Sequence, residues 1–380
     1  MITEIKQLEV YCSNRKVGTL AFFQDALTAF EYDADWLIEG FPLNPFSLPL
    51  EQRVFIPKRE PLDGVFGVFA DSLPDGWGRL LVDRLMLKNN IDPRTVSSLT
   101  RLAIVGHSGM GALSYEPEFH FIQNQGDYDL DKIANECSRV LNTKYSDELD
   151  TLFLLGGSSG GARPKILTTI ADEEWIIKFP SSSDNESIGK QEYDYSICAK
   201  ECGVLMTETK LFPSKKCDGY FGTKRFDRQK NHDGTTERIH MISAAGLLET
   251  SHRIPNLDYG ILMKLTLELT KEFEEVEKLY RLMCFNVFAH NRDDHSKNFS
   301  FLYKEEECRW LLSPAYDLTF SYSIGGEHAT TVHGNGKNPG IKELLQVAKA
   351  IGITETKAKT IADEIYECVK SRLGEYLRMR

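Results

Sequence analysis

The segment 279–318 constrains this chain more than any other: LYRLMCFNVFA runs straight into HNRDDHSKNFSFLYKEEECRWLLSPAYDL. The first part is apolar on nearly every side, so it reads as a buried helix that delivers HNRDDHSKN as a loop at its end. Phe299, Phe301 and Tyr303 alternate as in a half-buried strand, KEEE makes a turn, and CRWLL reads as a second strand. Together they predict a hairpin. A hairpin returns to its starting point. Asn298 lies just before the first strand and Asp317 shortly after the second, so the two converge. An amide oxygen beside a carboxylate suits a hard cation such as Mg²⁺. Asp293, on the same loop, is placed to orient and deprotonate an attacking hydroxyl. A base, an Asn five residues on and a later metal-binding Asp form the arrangement that kinases use. The plain alternative is a polar loop whose acids only face water.

Two further features bear on the same chemistry. In WIIKFP, alternation puts Trp175, Ile177 and Phe179 on one face and Ile176 with Lys178 on the other. A lone Lys on a strand is ordinarily just solvated. Here a helix follows, on which Glu192 shares a face with Tyr195, Ser196 and Ala199. A strand Lys paired with a Glu on the next helix aims an ammonium at the α- and β-phosphates of ATP. The stretch GGSSGGARPK, 156–165, is not a Walker A loop, because Ala rather than Lys follows Gly161. A glycine-rich turn before a strand can still lay backbone N–H groups over phosphates, although such turns are common between strands.

Along the chain, LEVYCSNRKVGTLAF reads as a hairpin about Asn14, and Pro74 with Asp75 opens a helix whose apolar side holds Leu80, Leu81, Val82 and Leu85. The polar stretch QNQGDYD and the amphipathic DLDKIANECSRVLN read as a connection to a second domain. Strands KILTTI and WIIKFP follow, joined by ADEE. The helix QEYDYSICAKECG is closed by Gly203, another strand pair surrounds KCDGYFGTKRFDR, and the chain after about 257 is mostly helical. These readings predict an amino-terminal subdomain over 1–115, a connecting segment over 116–150, a small sheet-bearing lobe over 151–228 and a helical lobe over 229–380.

Composition removes several classes. No apolar run approaches the ~20 residues of a membrane helix, and the start lacks the layout of a secretory signal, so a cytoplasmic protein with no membrane contact is expected. The 8 cysteines are scattered without a C-x-x-C pair. Cys198 and Cys202 sit one helical turn apart; with no His nearby they read as buried thiols. A net charge of −11 makes a poor autonomous ligand for the phosphate backbone of DNA, and the locally basic SRLGEYLRMR reads as a solvated helix end.

On the blocks SSGGARPK, WIIKFP, EYDYSICAKECG, KRFDR, RIHMISAAGLL, NRDDHSKNFS and LLSPAYDL, together with VFADSLPDGWGRLLVDR, the chain resembles the HipA family of bacterial toxin kinases over almost its whole length. The resemblance implies an α+β, two-lobed protein-kinase-like fold, with a mixed α/β amino-terminal subdomain and a mostly helical C-lobe. It implies a serine/threonine protein kinase that uses ATP and Mg²⁺. Asp293 would be the catalytic aspartate, with Lys297 beside it in the catalytic set. Asn298 and Asp317 would hold Mg²⁺. Lys178 would contact ATP and pair with Glu192, and Gly160, Gly161 and Lys165 would line the phosphates. Lys224, Arg225 and Phe226 would form the hinge beside adenine. Ser158, or alternatively Ser159, would be the autophosphorylated loop serine; Arg163-Pro164 stands where the best-known members carry Gln-Glu. The family's substrates are proteins, often an aminoacyl-tRNA synthetase. Its partner is a small helix-turn-helix antitoxin, HipB-like, through which alone DNA is reached. A small-molecule or lipid kinase, and a catalytically inactive corepressor, are the competing readings.

Overall fold

The computed structural model of the protein describes residues 4–24, 27–119, 129–144, 146, 148–231 and 233–378. The chain divides into two compact units, one comprising Met1–Gly189, Leu211–Ile242 and Gly246–Thr250, the other Lys190–Lys210, Ser243–Ala245 and Ser251–Arg380.

In the first unit, the expected hairpin pairs Gln7–Cys12 with Arg15–Phe22. Its turn residues, Ser13 and Asn14, have φ of 48° and 65°, the left-handed conformation that a tight hairpin turn demands. The hairpin belongs to a five-stranded sheet in the order Val54–Phe55, Thr28–Tyr32, Arg15–Phe22, Gln7–Cys12, Leu113–Glu116. Strict alternation buries Leu8, Val10 and Cys12 on one face of the Gln7–Cys12 strand. A second, four-stranded sheet runs in the order Lys165–Ile170, Glu173–Lys178, Tyr220–Lys224, Thr209–Phe212.

One apolar core joins this second sheet to three helices. Trp77, Leu81, Val82 and Leu85 of Gly76–Lys88 meet Ile133, Cys137 and Val140 of Leu130–Leu141, Leu152 and Phe153 of Leu149–Gly156, and Trp175, Ile177 and Phe179 of the sheet. The stretch expected to be a connection thus carries a helix packed into the core; Asp129 caps it by accepting from Asp131 N at 2.9 Å. The polar run QNQGDYD, apart from Asp129, lies outside the described residues.

The second unit is mostly helical. Tyr259–Thr270 and Phe273–Phe288 pack against a hairpin of Ser300–Lys304 and Arg309–Leu312, and Ile341–Ile351 and Glu355–Arg378 pack on those two helices. Phe273–Phe288 is buried along most of its length, as its composition requires. Ile188–Glu201 leads into this unit, and Gly203 closes its end with φ of 70°.

Candidate active site

In the second unit the hairpin sets the geometry of the loop 290–298. Phe301 pairs with Leu312 and Lys304 with Arg309, and Ser313 N donates to Ser300 O at 2.8 Å, which closes the open end. Tyr316 Oη then donates to Lys297 O at 2.6 Å and lies 2.6 Å from Ser300 Oγ. Residues immediately next to Asn298 and Asp317 are therefore tied together. Asn298 Nδ2 donates to the Asp293 carbonyl at 2.6 Å, leaving its amide oxygen as the remaining acceptor. Asp317 has φ of 55°, a left-handed position that Asp tolerates better than most residues and that is often found at functional sites.

Two neighbouring carboxylates on this loop have opposite surroundings. Asp293 is exposed. Asp294 is only 1% exposed and accepts from Tyr259 Oη at 2.8 Å, from the Thr330 backbone N–H at 3.1 Å and from His328 Nδ1 at 2.9 Å. Asn286 Nδ2 donates to Tyr259 Oη at 2.9 Å, and Asn291 Nδ2 donates to Asn286 Oδ1 at 3.0 Å. Burial, with Asp294 alongside, pushes the Tyr259 hydroxyl well above its ordinary range, so it stays a donor. This network anchors the loop from beneath and leaves Asp293 as the carboxylate presented outward. Sequence reasoning missed Asp294: the DD pair offers no internal sign of which member turns in. Glu192 is also in this unit, buried at 2% on the same side of its helix as Tyr195, Ser196 and Ala199.

In the first unit, Lys165 and Lys178 are cross-strand partners, each 8% exposed. Lys178 Nζ lies 5.4 Å from the centre of the Phe221 ring. Lys165 Nζ donates to the Gly160 carbonyl at 2.5 Å, which bends the glycine-rich loop back over its own strand. From the other side the loop is clasped by Asp75-Gly76-Trp77-Gly78. Gly161 N donates to Asp75 Oδ1 at 2.5 Å, and Trp77 N donates to Gly161 O at 2.8 Å. A Cβ on Gly76 would fall 2.3 Å from Gly161 O, and one on Gly78 2.1 Å from Ser159 O, so only glycine permits this approach. Asp75 begins its helix as expected, but its carboxylate is turned to the loop and makes no capping bond. Two glycines flanking an aromatic residue at a helix start were the available signal of close backbone contact.

The stretch expected beside adenine is held by charge. Lys224 Nζ bonds Glu173. Arg225, 5% exposed, directs its guanidinium to Asp227 at 2.7 Å and to Glu174 at 3.3 Å. Burial pushes the Asp227 carboxyl up, but Arg225, Arg228 and the Gly111 N–H together outweigh it and hold the group at about 2. Arg225 thus acts inside the unit, and the half-buried Phe226 side chain and the backbone are what this stretch can offer a ring.

The residues fit a nucleotide and a hard cation. Two buried ammonium groups on neighbouring strands suit an anionic ligand, and an amide and a carboxylate oxygen at the base of one hairpin suit a hard cation. A mixed α+β chain with such a loop and hairpin defines a class, and the comparisons give the family. The HipA N-terminal domain model matches residues 8–116 and the HipA-like C-terminal domain model matches residues 157–373. The chain belongs to the HipA family. Two Sinorhizobium fredii strain NGR234 proteins are similar. "Putative kinase Y4mE" is 24% identical over 83% of this chain and 77% of its own length. "Putative kinase Y4dM" is 22% identical over 97% of this chain and 90% of its own length. Among solved structures, HipA of Shewanella oneidensis MR-1, seen with HipB and its operator DNA, superimposes with a TM-score of 0.73 at 17% identity, covering 98% of this chain and 91% of that one. The expected HipA fold is therefore the observed one. No helix among the described residues is long and apolar enough to cross a membrane.

Proposed function

We propose that this chain is an ATP- and Mg²⁺-dependent kinase that transfers the γ-phosphoryl group to a serine or threonine hydroxyl of a protein. The observation that carries the reading is the exposed carboxylate of Asp293, a residue whose backbone carbonyl accepts from Asn298 Nδ2 and whose loop is anchored by buried Asp294. Asp293 would accept the hydrogen bond of the attacking hydroxyl and take its proton as the new O–P bond forms and ADP leaves. Asn298 and Asp317 would hold the Mg²⁺, which when bound spreads the negative charge of the phosphate oxygens. Lys178, which would pair with Glu192, and Lys165 would position the phosphates. Lys297, on the same loop as Asp293, would meet the same negative charge, and Lys224 to Phe226 would border the adenine. Gly160 and Gly161 let the loop backbone approach closely.

The family points to a toxin working with a small DNA-binding antitoxin of HipB type, and a translation protein such as an aminoacyl-tRNA synthetase is the proposed class of substrate. The net charge of −11 agrees with DNA being reached only through that partner. The test is incubation with γ-³²P-ATP and Mg²⁺, with and without chelator. Label on protein serine or threonine together with ADP release is expected. A preparation that binds ATP yet labels no protein would overturn the reading, and label on a small molecule or lipid would redirect it.

A further inference from the structure

Away from the candidate active site, the second unit brings together three sulfurs that the sequence holds far apart. Cys198 lies in the helix Ile188–Glu201, and Cys202 follows at its end, its N–H donating to Cys198 O at 2.9 Å. Cys368 comes from the helix Glu355–Arg378. Their Sγ atoms all lie within 4.8 Å of one another. Cys198 and Cys202 are 1% and 4% exposed, while Cys368 is half-buried and gives the cluster an opening. We propose that Cys198, Cys202 and Cys368 form a thiolate site for one thiophilic d¹⁰ cation, of the Zn²⁺ or Cd²⁺ type.

The geometry favours this. Thiolates around a tetrahedral zinc, at ~2.3 Å from the metal, stand roughly 3.8 Å apart, so closure of the cluster takes a shift of about an ångström or less. An all-sulfur set selects soft ions and discriminates against Mg²⁺ and Ca²⁺. Binding a divalent ion releases the thiol protons to solvent and leaves three thiolates on one dication, a net charge of −1. Arg281 Nη1 donates to the Cys202 carbonyl at 2.8 Å, and Arg372, one turn on from Cys368, donates to Glu201 at 2.6 and 2.7 Å, which ties the two helices together beside the sulfurs. The half-exposed side leaves a fourth position for water or a small thiol. Buried cysteines otherwise behave as small hydrophobes, as Cys12, Cys137 and Cys284 do here, each buried in a different element. An ion at this site would fasten the carboxy-terminal helix to the helix that carries Glu192.

The test is a Cd²⁺ titration of the full chain, freed of metal and kept under a phosphine reductant. A near-ultraviolet sulfur-to-cadmium charge-transfer band should saturate at about one equivalent, with Zn²⁺ competing and the Tm rising by on the order of 3 °C. C368A and C198A/C202A should abolish the band, while C308A and C217A should leave it. Should the buried variants fail to fold, alkylation of the wild type mapped by mass spectrometry decides: Cd²⁺ should protect Cys198, Cys202 and Cys368 as a set. Absence of the band in the wild type, its persistence in folded C368A, protection of other cysteines instead, or a Cys202–Cys368 disulfide that forms under reductant and resists the metal would each overturn the proposal.

Discussion

Lys165 stands directly opposite Lys178 across two antiparallel strands, and both are 8% exposed. Like charges facing each other on a sheet repel, at a cost of roughly 0.2–1 kcal/mol, and burial strips the water that would screen them. The arrangement is favourable where an anion sits over the pair. Replacement of Lys178 by Met should therefore weaken ATP binding at least tenfold, and Lys165→Met should weaken it severalfold. Calorimetric titration of each folded variant checks this; unchanged affinity in K178M would remove the lysine pair from the site.

The contrast between Asp293 and Asp294 gives a paired prediction. Asp293→Asn should abolish phosphotransfer while leaving the Tm and ATP affinity near those of the wild type, because an exposed side chain supports little packing. Asp294→Asn exchanges an acceptor-only group for one that must also donate, among three groups that donate to it. A cost of about 2–4 kcal/mol is expected, seen as a lower midpoint in urea unfolding. Phosphotransfer at the wild-type rate in D293N would end the catalytic assignment.

Much of this loop was legible because hairpin alternation and the spacing of Asn298 and Asp317 are local features. What was not legible depends on partners distant in sequence. The DD pair does not reveal that Asp294 meets Tyr259, His328 and Thr330. GGSSGGARPK does not reveal the clasp from Asp75 to Trp77, since Gly161 bonds a helix start at Asp75, 86 positions earlier in the chain. Ile133, Cys137 and Val140 did carry the helical spacing of a buried face. Polar residues just before them drew the segment toward a linker. KRFDR marked a conspicuous cluster of charge, but only the fold shows that Arg225 serves Asp227 within the unit.

Asp317 supplies the charge of the proposed cation pair. Asp317→Ala should keep metal-free ATP binding and lose its tightening by Mg²⁺, whereas Asp317→Asn should retain part of it. ATP titrations with and without Mg²⁺ separate the outcomes. Full metal dependence in D317A would place the cation elsewhere.

His240 makes stability depend on pH. It is 3% exposed, with Nε2 3.0 Å from Leu43 O, and burial lowers its pKa to about 4 despite that hydrogen bond. An unfolded histidine titrates near ~6.5. As pH falls from about 6.5 toward 4, the unfolded chain takes a proton that the folded chain refuses, so stability drops over that window by roughly 3 kcal/mol. His240→Gln should flatten the dependence of Tm on pH between 6.5 and 4. A variant profile parallel to that of the wild type would show that His240 does not set it.

The two loop serines make the last case. Ser159 is 3% exposed and its hydroxyl donates to Gly156 O at 2.6 Å, inside the loop. Ser158 is half-buried and donates outward to Ser108 O at 2.9 Å. A phosphoryl acceptor must present its oxygen, so Ser158 is the expected autophosphorylation site. Modification would replace that single donor by about −1.5 to −2 charges. It would break the bond to Ser108 and set an anion on the loop that Lys165 and Asp75 hold closed. Arg163 is not an open receptor for the phosphate, because Asp184 already accepts from it at 3.1 and 3.4 Å. The loop should therefore swing away from its clasp, and ATP affinity should fall at least tenfold. Mass spectrometry after incubation with ATP and Mg²⁺ should find phosphate on Ser158, lost in S158A and kept in S159A. Phosphate confined to Ser159, or a phosphorylated Ser158 with undiminished ATP affinity, would refute this.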